Sequence, residues 1–261
     1  MTAAAPAASR QRDTSLVTTT HDGPVALVEM HRPPTNFFDR DILAELAAAV
    51  LALDADPAVR AIVLCSEGKH FCAGADLRGV DAEGIRAVYR EAFRLFCGRT
   101  PIVAAIQGAA VGGGLGLAMA ADFRVTAPDA GLTANFAKLG FHPGFALSVT
   151  LPRAVGHQRA LELLYTGRRV TGVEAVELGL CDRLGESDPR HAALETAHEI
   201  ARSAPLSLAA IRATMRRDLV ADVAAALDQE ALAQAALLGT DDFAEGLAAT
   251  IAKREPHFRG V

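Results

Sequence analysis

The sequence predicts an α/β protein, and three observations predict it. The first half alternates short apolar runs with helical patterns; a charge-free stretch between Arg99 and Asp122 is broken by glycines; beyond Gly144 the pattern is almost wholly helical. Two β-rich runs, Ser15 to Thr20 and Val25 to Met30, flank His21-Asp22-Gly23-Pro24, an Asp-Gly hairpin signal. Asp39 suits the cap of a helix carrying Ile42, Leu43, Leu46, Val50 and Leu53 on one face. A strand over Val59 to Cys65 follows, then a loop through Gly68 and Gly74, and a helix across Ile85 to Cys97. Ile102 to Gln107 reads as a strand leading into Gly112-Gly113-Gly114 and a short helix ending near Ala121, with Phe123 to Thr126 as another strand.

After Gly144 the expected helices are Phe145–Val155, His157–Tyr165, Val173–Leu178 and long Ala-rich segments from Pro189 to Ala252. Several are apolar around much of their circumference, Val223 to Leu238 for example, so the core or another subunit must cover them. The chain of 261 residues is divided here into a tail over 1–14 expected to be disordered, a core over 15–195 and a helical region over 196–261.

Composition excludes several classes. With 51% hydrophobic and 22% charged residues the chain is not a disordered segment. Its 26 basic against 31 acidic residues leave no cationic excess for a phosphate backbone, which argues against nucleic acid. The uncharged stretch after Arg99 is long enough for a membrane span, but Pro101, Gln107 and five glycines would interrupt a lone helix, so no membrane partner is expected. Cys65, Cys72, Cys97 and Cys181 show no C-x-x-C spacing, and no histidine cluster completes a metal site; reduced thiols in a cytoplasmic protein are expected. The segment Met1 to Arg12 lacks the apolar region of a secretory signal.

Two segments carry chemistry. In His70-Phe71-Cys72-Ala73-Gly74-Ala75-Asp76-Leu77-Arg78, small residues let a ligand approach the backbone amides, and Asp76 suits the start of a short helix. The run Gln107 to Asp122, with Gly112-Gly113-Gly114-Leu115-Gly116, lacks the Lys-Ser/Thr of a phosphate loop and the last glycine of G-x-G-x-x-G. It remains a glycine turn at a helix start, where free amides and the dipole favour negative charge. Two such donors from separate loops make an oxyanion hole.

In this order the segments resemble the crotonase (enoyl-CoA hydratase/isomerase) superfamily. Further likenesses are His31-Arg32-Pro33-Pro34-Thr35-Asn36, Ala154-Val155-Gly156, Thr166-Gly167-Arg168 and Glu245-Gly246 through Lys253 to Phe258, so the resemblance spans nearly the whole chain. It implies a spiral of ββα units with a helical C-terminal region that builds trimers or dimers of trimers, and a role in fatty acid metabolism. It implies an acyl-CoA thioester held by the amides of Ala75 and Gly113, coenzyme A being part of the substrate and no cofactor permanently bound. The implied binding residues are Pro34, Ala73, Asp76, Leu77, Arg78, Gly112, Phe136 and Leu139, with Arg78 near the CoA phosphates and Lys253 arriving from a neighbouring subunit.

The chain departs from the family where hydratases carry two glutamates. The first position is Gly116; the second, counted back from Leu139-Gly140 and Pro143-Gly144, is Phe136. An Asp that some relatives place further along the loop is matched by Gly144. Neither Gly nor Phe transfers a proton. His142, in the loop expected to roof the acyl pocket, is the candidate acid/base; a packed or solvated loop histidine is the alternative. His70, Tyr165 and Glu162 read as structural, and Ser148 and Thr133 show no base partner. Two functions therefore stand: a lyase or isomerase that stabilises an acyl-CoA enolate without two-glutamate hydration, and a non-catalytic acyl-CoA carrier or sensor.

Overall fold

The computed structural model describes residues 15–77 and 79–261; the expected tail over 1–14 and Arg78 lie outside the described residues. Strand β1 (Val17–Asp22) turns through Gly23-Pro24 into antiparallel β2 (Val25–Met30). Asp39 caps α1 (Arg40–Ala55) by accepting from the Asp41 and Ile42 amides, and Ile42, Leu43, Leu46, Ala47, Val50 and Leu53 form its buried face. Then follow β3 (Ala61–Ser66), α2 (Ala82–Phe96), β4 (Ile102–Ile106), β5 (Ala109–Val111), α3 (Gly113–Met119), β6 (Phe123–Thr126) and β7 (Gly131–Thr133). A 3₁₀ turn at Phe136–Leu139 precedes α4 (Leu147–Val155), α5 (His157–Thr166), β8 (Arg169–Thr171), α6 (Gly172–Glu177) and β9 (Arg183–Leu184). The chain ends in α7 (Arg190–Ala201), α8 (Pro205–Leu237) and α9 (Asp241–Ala252).

Six strands make one sheet in the order β1-β2-β3-β4-β6-β9, parallel except for the first pair, while β5-β7-β8 form a small second sheet. β3 is buried along its whole length, as a strand covered on both faces must be. Ala61, Val63 and Cys65 meet Ala193, Ala197 and Ala201 of α7, and Ile62 and Leu64 face the main core. The division expected at 195/196 runs through α7; its packing on β2, β3, β4 and β6 puts that helix with the sheet.

Helix α8 spans 33 residues, about 50 Å at 1.5 Å per residue. Its buried Arg212 and Arg216 both grip Asp122, just past α3, at 2.9 and 2.8 Å, and Asp122 also accepts from the Ile102 amide. Leu206, Ile211 and Met215 stand exposed on the same helix. Among the described residues no helix is long and apolar enough to cross a membrane; the uncharged stretch after Arg99 forms β4, β5 and α3.

Candidate active site

Segment 72–76 lies between two neighbours that take its polar groups in turn. Cys72 donates to Ala109 O at 2.9 Å and accepts from the Val111 amide at 3.0 Å. Ala73 donates to Thr35 O, Phe38 donates to Gly74 O, and Asp76 donates to Phe38 O, at 2.9, 3.0 and 2.8 Å. In such a parallel bridge the residue between the two bonds points its own amide the other way. That residue is Ala75, and the other way lies the glycine run. Gly74 takes φ +115, which only glycine adopts freely, and this bends the segment there.

Gly113 opens α3, and first-turn amides have no partner within their helix. Among the described residues neither the Ala75 nor the Gly113 amide donates to a protein acceptor. A Cβ on Gly113 would stand 3.8 Å from the Ala75 nitrogen and 2.6 Å from Phe38 Cζ. The two free donors therefore lie near one another, and a side chain at 113 has no room. Cys72, the nearest thiol, is fully buried, which pushes it up to about 12 and keeps it protonated.

The positions without carboxylates are occupied. A side chain on Gly116 would collide with Phe145, whose Cγ lies 3.0 Å from the Cβ position. Phe145 is 1% exposed and meets Phe38 edge-on at 5.4 Å. The Phe136 ring faces Gly112, with Cζ 3.7 Å from the Cβ position there and Asn135 Oδ1 at 3.4 Å. A side chain on Gly144 would run into the Tyr89 hydroxyl and Gln234 Nε2.

The loop from Phe141 to Ser148 is held from α8. Glu230 accepts from the Ala146 amide at 2.8 Å, the Ser148 amide at 3.1 Å and the Ser148 hydroxyl at 2.5 Å. One turn on, Gln234 donates to His142 O at 2.9 Å and accepts from Tyr89 Oη at 2.7 Å. Phe145 and Ala146 take φ +59 and +58, an unfavourable conformation for side-chain-bearing residues that this clamp sustains. Burial pushes the Glu230 carboxyl above its ordinary range, against the three bonds and His142, which pull it down. Burial also raises the Tyr89 hydroxyl, so it acts as a donor.

His142 is half-buried, and its Nδ1 lies 2.7 Å from Pro143 O. A carbonyl only accepts, so Nδ1 carries the proton in this contact. His70 is engaged elsewhere: its Nδ1 accepts from the Ala109 amide at 3.1 Å, and burial, with Lys69 nearby, lowers its pKa.

The structure thus brings Ala73, Ala75, Gly112 and Gly113 together, with Phe136 against the glycines. Leu139 packs under α9 beside Gly246, Pro34 is exposed in the loop before Thr35, and Lys253 is exposed at the end of α9. The helix expected to start at Asp76 does not form; α2 begins at Ala82 under an Asp81 cap, and the Asp76 amide bonds Phe38 instead. Ser148, read as lacking a partner, has Glu230. Sequence reasoning missed Asn36, Phe38, Tyr89, Glu230 and Gln234. The one available signal was Glu230 and Gln234 at i,i+4 in the Ala- and Leu-rich Val223–Leu238 segment, which also carries Asp228 and Gln229.

Comparison with known proteins identifies the family. The family described as enoyl-CoA hydratase/isomerase matches residues 20–261. A probable enoyl-CoA hydratase of Bacillus subtilis is 36% identical over 90% of this chain and 95% of its own length. The peroxisomal Delta(3,5)-Delta(2,4)-dienoyl-CoA isomerase of Arabidopsis thaliana is 31% identical over 91% and 93%. The crystal structure of an enoyl-CoA hydratase/isomerase from Pseudoalteromonas atlantica T6c superposes with a TM-score of 0.86 at 31% identity, covering 94% of this chain and all of that one. With the family match over residues 20–261 and the shared fold in agreement, the chain belongs to the enoyl-CoA hydratase/isomerase family of the crotonase superfamily.

Proposed function

We propose that this protein binds an acyl-CoA thioester, holds its carbonyl oxygen between the Ala75 and Gly113 amides, and stabilises the enolate that forms there. The closeness of those two unpartnered amides carries the reading. Each such donor contributes on the order of 2.7–4 kcal/mol to the transition state. Phe136 at the glycines and Phe145 against Gly116 leave no place for the two carboxylates that would activate water, so the reaction is a lyase or isomerase step and not ordinary hydration. In an isomerisation, His142 Nε2 takes a proton from a carbon of the acyl chain, the electron pair moves into the thioester carbonyl, and the proton returns to another carbon as the carbonyl re-forms.

The CoA moiety runs along Ala73 to Leu77, with Pro34 beside it, Arg78 near its phosphates and Lys253 arriving from a neighbouring subunit. Leu206, Ile211 and Met215 on α8 are the apolar face for trimer contacts, alone or in pairs of trimers. The occupied Gly116 side also supports a second reading, a carrier or sensor that binds acyl-CoA without turnover.

Incubation with a panel of enoyl- and acyl-CoAs tests both. Conversion that disappears in His142→Ala while CoA affinity holds supports the enzyme. Binding of several acyl-CoAs with none converted favours the carrier, and crotonyl-CoA hydration at a rate usual for the family contradicts the reading of Gly116 and Phe136.

A further inference from the structure

We propose that Asn36, 39 residues before Ala75, is a positioning residue that sets the direction of the Ala75 amide; this rests on the reading that this amide polarises a thioester carbonyl. Asn36 is fully buried. Its side chain uses every polar atom: Nδ2 donates to Glu67 O at 2.8 Å and His70 O at 2.6 Å, and Oδ1 accepts from the Arg32 amide at 3.0 Å. Its backbone sits at φ +49, a region asparagine tolerates better than most residues.

These contacts join two loops that do not otherwise form a sheet. One, residues 32–38, supplies Thr35 O and the Phe38 amide and carbonyl, the groups that take Ala73, Gly74 and Asp76. The other, residues 67–70, leads directly into segment 72–76. The Asn36 side chain fixes the separation and register of the first against the second. That register decides which amide of 73–76 is consumed by Phe38 and which is left to face Gly113. A slip of one residue would turn Ala75 inward and present Gly74 or Asp76 in its place. His31, just before the first loop, adds a half-exposed tie to the second, Nδ1 to Glu67 at 2.9 Å, but among the described residues only Asn36 bonds both ends of the 67–70 turn.

The test uses cinnamoyl-CoA, whose conjugated thioester absorbs at longer wavelength when donors polarise its carbonyl. The full-length protein is mixed with the probe, and affinity for unmodified CoA is measured in parallel. The wild type should bind the probe with a red shift; binding without one overturns the underlying reading of the amides and leaves nothing for Asn36 to position. Asn36→Gly keeps the positive φ and loses all three side-chain bonds, and Asn36→Asp keeps the acceptor and loses both donors. Each should retain CoA affinity within about threefold and lose at least half of the red shift. A full red shift in either folded variant overturns the proposal. Loss of CoA affinity in step with the shift also overturns it, because that would show general collapse. Circular dichroism identifies folded variants, and Asn36→Ser replaces either one that does not fold, under the same criteria.

Discussion

Replacing Glu230 by Ala tests whether α8 holds the roof of the site. The carboxylate accepts three bonds, from the Ala146 amide, the Ser148 amide and the Ser148 hydroxyl. The Ala146 amide is fully buried and would be stranded, at a cost of about 1–3 kcal/mol. The Ser148 groups sit at an exposed helix start where water replaces the carboxylate, so each loses about 0.5–1.5 kcal/mol. Removing a carboxyl that burial disfavours returns part of this. The net loss is about 2–4 kcal/mol, or a melting temperature lower by roughly 5–15 °C for a chain of this size. Thermal unfolding followed by circular dichroism at pH 7 reads it, at one protein concentration because subunit association shifts the midpoint. A variant melting within 2 °C of wild type would refute the argument that this carboxylate sustains the positive-φ pair at 145 and 146. The charge has its own signature. The folded carboxyl holds its proton above the ordinary glutamate value of 4.5, so its contribution is full below that pH and is lost as pH rises through the folded value. The deficit of Glu230→Gln should therefore narrow as pH rises above about 4.5.

Gly116→Glu alone should give no crotonyl-CoA hydration and should destabilise by about 1–3 kcal/mol, because its Cβ meets Phe145. Combined with Phe145→Ala it should cost less than the two changes summed, a coupling that denaturant melts of the double-mutant cycle measure; strict additivity would show that the two sites do not share space. Glu245 is held down to about 2 by Arg254 and by the His257 amide, so these contacts persist above the ordinary range and fail as pH falls from about 4.5 towards 2. Glu245→Gln should expose residues 254–261 to limited proteolysis at neutral pH, and an unchanged digestion pattern would show that Asp242, which accepts from the Arg259 and Gly260 amides, anchors the tail by itself.

Features decided within a few residues were legible. Asp39 as a cap, the apolar face of α1 and the glycine turn opening α3 each follow from local stereochemistry. Features decided by distant partners were not. The helix expected from Phe145 begins at Leu147, because residues 145 and 146 bend to meet Glu230, more than eighty positions away. The strands β5, β7 and β8 are three residues each, too short to show an alternation, and exist because they pair with one another. At the site, the bare backbone at the small residues was readable, but the side chains filling the space beside Gly116 and Gly144 were not, since nothing near Gly116 in sequence names Phe145 and nothing near Gly144 names Tyr89 or Gln234.

The length of α8 has a consequence for the order in which the protein is finished. Ala75 and Gly113 leave the ribosome well before Glu230 and Gln234 exist, and synthesis proceeds at only about 5–20 residues per second. For several seconds the emerging chain carries both amides with an unanchored 141–148 loop, and Asp122 waits for Arg212 and Arg216 on the same late helix. A chain cut short before residue 230 would have the glycine run without its roof. The surroundings of the two amides are thereby finished only in chains that include α8.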